Sequence, residues 1–343
     1  MGLTVALCFN LGKDFVPRDD EPPDLHCELD SEKTVGAVCA ALVDGGHTPV
    51  LIEADADAPA RLSATRPDLV FNIAEGLCGE SRESFIPAVC DSLGIPYTGS
   101  GVLPLALSLD KAMAKRVLAF EGVPTPPFKV IRPGEEIDVR GLRYPLFVKP
   151  LREGSSMGIS PQSRVDGPFE LREQVYAVHQ GYRQPALVEE FLEGREFTVG
   201  ILGNEDPEFF PIMEINFAAV PPEHEVYSRQ FKAEWSSWDY YLCPAPVSEL
   251  ERRIMEETAL SAFRALGCRD FGRVDIRYDR DGRPHVLEIN PIPGMSPGFS
   301  DYPRMAEVGG YTYAALVNAV VRVTALRCGL LHGGRMIAAT GSS

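Results

Sequence analysis

Residues 271–294, FGRVDIRYDRDGRPHVLEINPIPG, carry two carboxylates and an amide at a spacing that could hold a metal ion. The stretch reads as two alternating strands around an Asp-Arg-Asp-Gly turn. With the loop spanning residues 279–284, Asp275 falls opposite Glu288. Val274 and Ile276 then share an apolar face with Leu287 and Ile289, while Asp275, Glu288 and Asn290 project from the other. Two carboxylates facing each other across a strand pair repel, by about 0.2–1 kcal/mol even when exposed, so something positive belongs between them. An oxygen-only donor set suits a hard cation that keeps its remaining positions for water and phosphate oxygens, Mg²⁺ first and Mn²⁺ next. Taken alone, the pattern also fits a solvated hairpin whose acids pair with Arg273 and Arg277.

Two further stretches bear on phosphate and base recognition. Lys149 runs into Arg152-Glu153-Gly154-Ser155-Ser156-Met157-Gly158, where small residues let backbone N–H groups close on phosphate oxygens. The pattern G-x-x-x-x-G-K-[ST] is absent from the chain, and Gly99-Ser100-Gly101 lacks the third glycine of a dinucleotide fingerprint. By itself the serine loop equally describes a flexible turn. In VEEFLEGREF, residues 188–197, a strand leaves into a turn and re-enters a strand. Backbone groups there could read an adenine edge while Glu196 accepts from ribose hydroxyls; an interlobe linker with solvated glutamates has the same pattern.

These residues need elements to hold them. Residues 3–9 read as a buried strand, 31–43 as a helix and 48–53 as the next strand, a β-α-β opening. Residues 68–73 form a further strand, followed by the loop Glu75-Gly76-Leu77-Cys78-Gly79-Glu80 and a helix ending at Leu93-Gly94, which fits a parallel sheet with covering helices. Residues 96–104 turn loop-like and mark a lobe boundary; a helix restarts over 109–120. Strands are expected at 146–149, 162–165 and 186–192, with a helix at 169–179, and the chain beyond Glu196 is strand-rich with a polar and aromatic insertion at 221–242. The last ten or so residues read as a frayed tail.

Composition sets the outer bounds. At 343 residues the chain exceeds what one core usually organises, and 45% apolar residues are enough to fill two or three lobes. Lys and Arg number 33 against 49 Asp and Glu, a net charge of −16 whose field repels a polyphosphate backbone, so nucleic acid is not expected as a partner. A nucleotide is compatible, because a few lysines and a divalent cation reverse the potential inside one cleft. The eight cysteines show no metal-binding spacing and read as reduced thiols. The N-terminus lacks the signature of a signal peptide and no stretch reaches the roughly 18 apolar residues of a membrane span, so a cytoplasmic protein without a membrane partner is expected.

In this order, the segments at residues 96–126, 147–160, 188–203, 243–246 and 267–297 resemble the ATP-grasp superfamily and, within it, the D-alanine–D-alanine ligases; the similarity runs over about residues 68–317. The resemblance implies an α/β and α+β protein with an N-terminal parallel-sheet lobe (1–104) for substrate, a central ATP-grasp lobe (105–190) and a C-terminal ATP-grasp lobe (191–343) that carries the metal site and the 221–242 lid. It also implies the reaction: ATP phosphorylates a carboxylate, and an amine attacks the acyl phosphate to give an amide, ADP and phosphate. Lys111 and Lys149 would neutralise the ATP phosphates, beneath the loop that holds Ser156. Asp275, Glu288 and Asn290 would hold Mg²⁺. Glu189 would take the adenine amino group, the backbone at Glu190 and Leu192 would complete adenine recognition, and Glu196 would take the ribose. Arg273, with the backbone at Gly294, matches the group that stabilises the tetrahedral oxyanion, Ser155 the serine beside the attacking amine, and Lys232 the lysine of the mobile loop. A homodimer is implied by the family alone.

The departures fall on the amino-acid pockets. The family's N-terminal glycine-rich stretch is replaced by Asn10-Leu11-Gly12-Lys13 and a Pro- and Asp-rich insertion, which leaves Glu28 as the nearest carboxylate for the first substrate's ammonium. Glu75-Gly76 stands where the ligases carry His-Gly, and Ala233 follows Lys232 where the family has a tyrosine. The substrates implied are therefore two D-alanines, another amino acid and amine of a specialised pathway, or a lactate acceptor. A non-catalytic ATP-binding module is the alternative from a different class; it has little need to keep the metal set, Arg273 and both phosphate lysines together.

Overall fold

The structure, a computed structural model, describes residues 2–12, 24, 29–221, 225–234 and 240–331. The opening β-α-β is present: β1 (Thr4–Phe9), α1 (Glu32–Asp44) and β2 (Thr48–Glu53), followed by α2 (Ala58–Thr65), β3 (Leu69–Asn72) and α3 (Phe85–Leu93). The three strands pair in parallel in the order β2-β1-β3. The central strand, TVALCF, is almost wholly buried, as a parallel strand covered on both faces requires. Ser31 caps α1 by accepting from the Thr34 amide.

The next segment differs from expectation. Residues 96–104 are not all loop, because α4 (Val102–Leu109) begins within them, and Asp110 both ends α4 and caps α5 (Lys111–Phe120) through the Met113 amide. Lys111 is thereby the first residue of its helix. A four-stranded antiparallel sheet follows in the order β4-β7-β5-β6, built from β4 (Phe128–Ile131), β5 (Leu146–Pro150), β6 (Arg164–Val165) and β7 (Ala186–Glu190), with α6 (Pro168–Tyr182) packed against it. The strand expected at 162–165 is shorter, since residues 161–163 form a 3₁₀ turn.

The last sheet runs β11-β10-β8-β12-β13, with β9 against β8. Its strands are β8 (Glu196–Leu202), β9 (Glu208–Phe209), β10 (Met213–Ile215), β11 (Tyr241–Leu242), β12 (Phe271–Tyr278) and β13 (Pro284–Asn290), accompanied by α7 (Arg229–Glu234) and α8 (Glu249–Ala265). The chain closes with α9 (Asp301–Val308) and α10 (Tyr313–Arg327). α10 returns to the first sheet: Asn318 Nδ2 donates to Ala41 O at 2.7 Å, and Leu316, Val317 and Val320 share a core with Val5, Leu7, Val38 and Leu42.

One buried acid ties these parts together. Asp270, fully buried at the start of β12, accepts from the Gly99 amide, Asn204 Nδ2, Thr324 Oγ1 and both Nε and Nη2 of Arg327, all within 3.0 Å. It thus joins the loop after β3, the turn after β8 and α10. Asp270→Ala leaves the Arg327 guanidinium with only the Tyr97 carbonyl, at 2.8 Å, and no carboxylate, and takes the acceptor from three other donors, so a loss of about 3–5 kcal/mol in unfolding free energy is expected in a urea titration; a loss below 1 kcal/mol would show that the contact is incidental.

Candidate active site

The second and third sheets face each other across a cleft of about 1490 Å³, open solvent at its mouth included.

The metal pair lies where alternation places it. Asp275 and Glu288 are direct partners across β12 and β13, and Arg273 pairs with Asn290. One detail departs from strict alternation: a β-bulge between Asp275 and Ile276 shifts the register so that Ile276 pairs with Val286. Val286 and Ile289 consequently fill the core, while Leu287, expected there, lines the cleft beside Glu288 and Asn290. Asp275 accepts from Thr198 Oγ1 at 2.6 Å and from Asn290 Nδ2 at 3.0 Å. The two acids divide their titration: burial and the neighbouring Glu288 push the Asp275 carboxyl up, whereas Glu288, despite burial, is held down by Lys111, Lys149 and Arg273. Two carboxylates and an amide oxygen with cations on the flanks are a donor set that fits a hard divalent ion.

Among the phosphate-site lysines, Lys149 lines the cleft. Lys111 stands behind the wall, its Nζ 3.6 Å from Glu288 Oε2 and bonded to the Glu153 carbonyl. The serine loop is held in a left-handed backbone, Ser155 at φ +47° and Ser156 at φ +60°. Such strain in non-glycine residues persists only where surroundings impose it, and it is typical of ligand clamps. Gly158 closes the loop at φ +69°, where a Cβ would lie 2.5 Å from Pro150 Cγ. Ser156 Oγ donates to the Tyr227 carbonyl at 3.0 Å, and Ser155 lines the cleft. Lys232 is no solvated surface lysine: it is half-buried, Nζ lies 4.5 Å from the Tyr227 ring centroid, and burial lowers its pKa against the pull of Asp301.

At the other end, Phe147 and Phe191 stack with centroids 6.0 Å apart, and Ile159, Leu192 and Leu287 add apolar walls suited to a flat base. Glu189 is gripped by two ammonium groups, Lys149 at 2.7 Å and Lys115 at 2.9 Å. Glu190 does not offer its whole backbone to a base: its amide bonds to Pro127 O, and its side chain pairs with Arg143. The Phe191 amide is likewise taken by Pro145 O. Glu196 pairs with Arg277 at 3.0 Å, and burial raises its carboxyl against that guanidinium. Arg273 bonds to Asp301 and lies 3.3 Å from Asp275, with its Nε buried and unpartnered. Gly294 lines the same wall, and a Cβ there would meet Ser300 Oγ at 2.7 Å. Glu28 lies outside the described residues.

Sequence reasoning missed Lys115, Thr198, Asp301 and Arg304. Lys115 carried a signal, since it lies one helical turn beyond Lys111. Thr198 reaches Asp275 only through the β8–β12 register, and Asp301 only through the path of the chain after Gly294.

The profile of the D-ala D-ala ligase C-terminus matches residues 117–322. The chain is 34% identical to a D-alanine–D-alanine ligase of Pelotomaculum thermopropionicum over 310 residues, 88% of this chain and 93% of that one. It is 37% identical to an uncharacterized protein, y4sG, of Sinorhizobium fredii over 297 residues, 84% of this chain and 86% of the other. Its fold matches that of a Bacillus anthracis D-alanine–D-alanine ligase complexed with ATP, with a TM-score of 0.73 at 22% identity, covering 95% of this chain and 98% of that one. The protein is an ADP-forming, ATP-dependent ligase of the ATP-grasp class. It belongs to the D-alanine–D-alanine ligase family. No described helix is long and apolar enough to cross a membrane.

Lys115 supplies a pH test. Burial lowers its pKa from the ordinary 10.5 to about 8, so between those values the folded chain binds fewer protons than the unfolded one and stability rises with pH. The unfolding free energy of the native chain is expected to gain on that of Lys115→Met as pH is raised from 7.5 to 10 in parallel urea titrations. Equal slopes would contradict the buried-ammonium reading.

Proposed function

We propose that this ligase joins two amino acids through an acyl phosphate, with D-alanine as the reference substrate for both positions and Mg²⁺, or Mn²⁺ in its place, on Asp275, Glu288 and Asn290. The opposed pair Asp275 and Glu288, flanked by Lys149, Lys111 and Arg273, carries the reading, because a site that only bound nucleotide has little need of it. The D-alanine–D-alanine ligases among the relatives support the substrate class. When bound, the cation would neutralise phosphate oxygens and lower the barrier to their displacement.

The chain's own groups supply the rest. Lys149 and Lys232 would meet phosphate charge directly, and Lys111 would act from behind Glu288. Amide groups of the strained Ser155-Ser156 turn would close on the phosphates, shutting out the water that would otherwise hydrolyse an acyl phosphate. The Ser155 hydroxyl would orient the attacking amine. Glu189 would exchange one of its two ammonium partners for the adenine amino group, with the Leu192 amide and Glu190 carbonyl on the base edge and Glu196 on the ribose. Arg273 and the Gly294 amide would face the oxyanion that develops as the amine attacks. We assign the first substrate's ammonium to Glu28 and a twofold dimer to the assembly, in keeping with the family.

A specialised substrate pair is the second reading, favoured by Glu75, which lines the cleft where the family carries histidine. The deciding assay follows phosphate release from ATP and Mg²⁺ with D- and L-amino acids, singly and in pairs, with product masses and Lys149→Ala as control. D-Alanyl-D-alanine formed in step with phosphate, and lost by about 100-fold or more in Lys149→Ala, is the expected result. Turnover only with another pair would move the protein to the second reading, and ATP binding without turnover on any pair would contradict ligase function.

A further inference from the structure

Arg273 faces the reacting centre, yet it stands among acids that compete for it. Nη2 lies 3.3 Å from Asp275 Oδ2, and Glu288 is close enough to be held down by the same guanidinium. Both acids belong to the candidate metal site. An arginine held by them alone would neutralise the charge a divalent ion needs, and would be drawn away from the carbonyl it has to polarise.

Asp301 resolves that conflict. Its Oδ2 accepts from Arg273 Nη1, on the side of the guanidinium away from the Asp275 contact of Nη2. It opens α9 directly after the capping residue Ser300, where a carboxylate is favoured by the helix dipole. The next residue, Tyr302, is fully buried against Phe210 and Phe271 and donates to Ile201 O at 2.9 Å, so the base of this arm cannot shift without disturbing the core. The carboxylate is steadied from the opposite wall as well. Tyr227 Oη lies 3.2 Å from both Asp301 oxygens, and the Tyr227 carbonyl accepts from Ser156 of the phosphate loop.

We propose that Asp301, steadied by the Tyr227 hydroxyl, is a positioning residue that takes the Nη1 side of Arg273, leaves only Nη2 to Asp275, and so fixes the guanidinium beside the cleft. The inference rests on the ligase reading above and deepens it. Neither residue touches a reacting atom in this scheme. Their effect runs through the guanidinium, where a displacement of about 1 Å costs on the order of 100-fold in rate.

The test is steady-state kinetics of Asp301→Ala, Asp301→Asn and Tyr227→Phe with the amino-acid pair that the native protein turns over, alongside thermal melting. The expected result is a fall in kcat of about 100-fold for Asp301→Ala with the KM for ATP changed less than about threefold. Asp301→Asn, which keeps an oxygen for Nη1, recovers about a tenth or more of the native rate, and Tyr227→Phe loses about threefold to tenfold. Should Asp301→Ala melt too low to assay, Tyr227→Phe carries the test, because removing one hydroxyl leaves the ring and its packing in place. Native-like kcat in Asp301→Ala or in Tyr227→Phe, or a loss that appears equally in kcat and in nucleotide affinity, overturns the inference while leaving the ligase reading intact. A native protein inactive on every pair overturns both.

Discussion

Two carboxylates directly opposite each other on neighbouring strands are a liability that a fold keeps only with compensation nearby. Asp275 and Glu288 are such a pair, and much of the cleft can be understood as its consequence. Cations approach from three elements: Lys111 at the head of α5, Lys149 on β5 and Arg273 on β12. Hydrogen-bond donors from Thr198 and Asn290 satisfy the two Asp275 oxygens. The bulge beside Asp275 turns Leu287 outward, giving the acids an apolar neighbour in the cleft while Val286 keeps the core closed.

The same logic extends to the nucleotide end. Glu189 and Glu196 are buried acids, and each has a matched cation, Lys149 and Lys115 for the first and Arg277 for the second. Buried pairs of this kind add little net stability; their value is that they fix where charge sits before a ligand arrives. Arg277 is also stacked over Phe191, with 4.4 Å between the guanidinium carbon and the ring centroid, so ribose-end charge and base-end aromatic surface are set by one side chain. A cleft arranged in this way has little reorganising left to do when phosphate charge enters it, which is the condition under which electrostatics contributes most to catalysis.

Much of this was legible in the sequence, for identifiable reasons. Period-two alternation around Asp-Arg-Asp-Gly placed Asp275 against Glu288, and the buried run TVALCF marked the central parallel strand. What escaped has causes that local pattern cannot carry. A bulge adds one residue without altering composition, so Leu287 and Val286 exchanged roles unseen. The end of α4 and the start of α5 share Asp110, and only its capping geometry separates the two helices, which moved Lys111 to a helix start behind Glu288. Asp301 meets Arg273 across a separation of 28 residues and Tyr227 meets Asp301 across 74, and the hub at Asp270 gathers groups from 54 to 171 residues away. Departures from the family in the amino-acid pocket were plain in the residues themselves; their effect on substrate choice depends on cleft shape.

The central claim is that opposed strand acids form a divalent-metal site completed by nucleotide phosphate. The most direct measurement is the Mn²⁺ affinity of the protein with a non-hydrolysable ATP analogue, read by electron paramagnetic resonance, for the native chain and for Glu288→Gln and Asp275→Asn. The account predicts tight binding only with the nucleotide present and a loss of about tenfold or more in each variant, since each removes one charged oxygen ligand. Unchanged Mn²⁺ affinity in both variants would contradict it, and would return the pair to a charged hairpin neutralised by its own arginine and lysines.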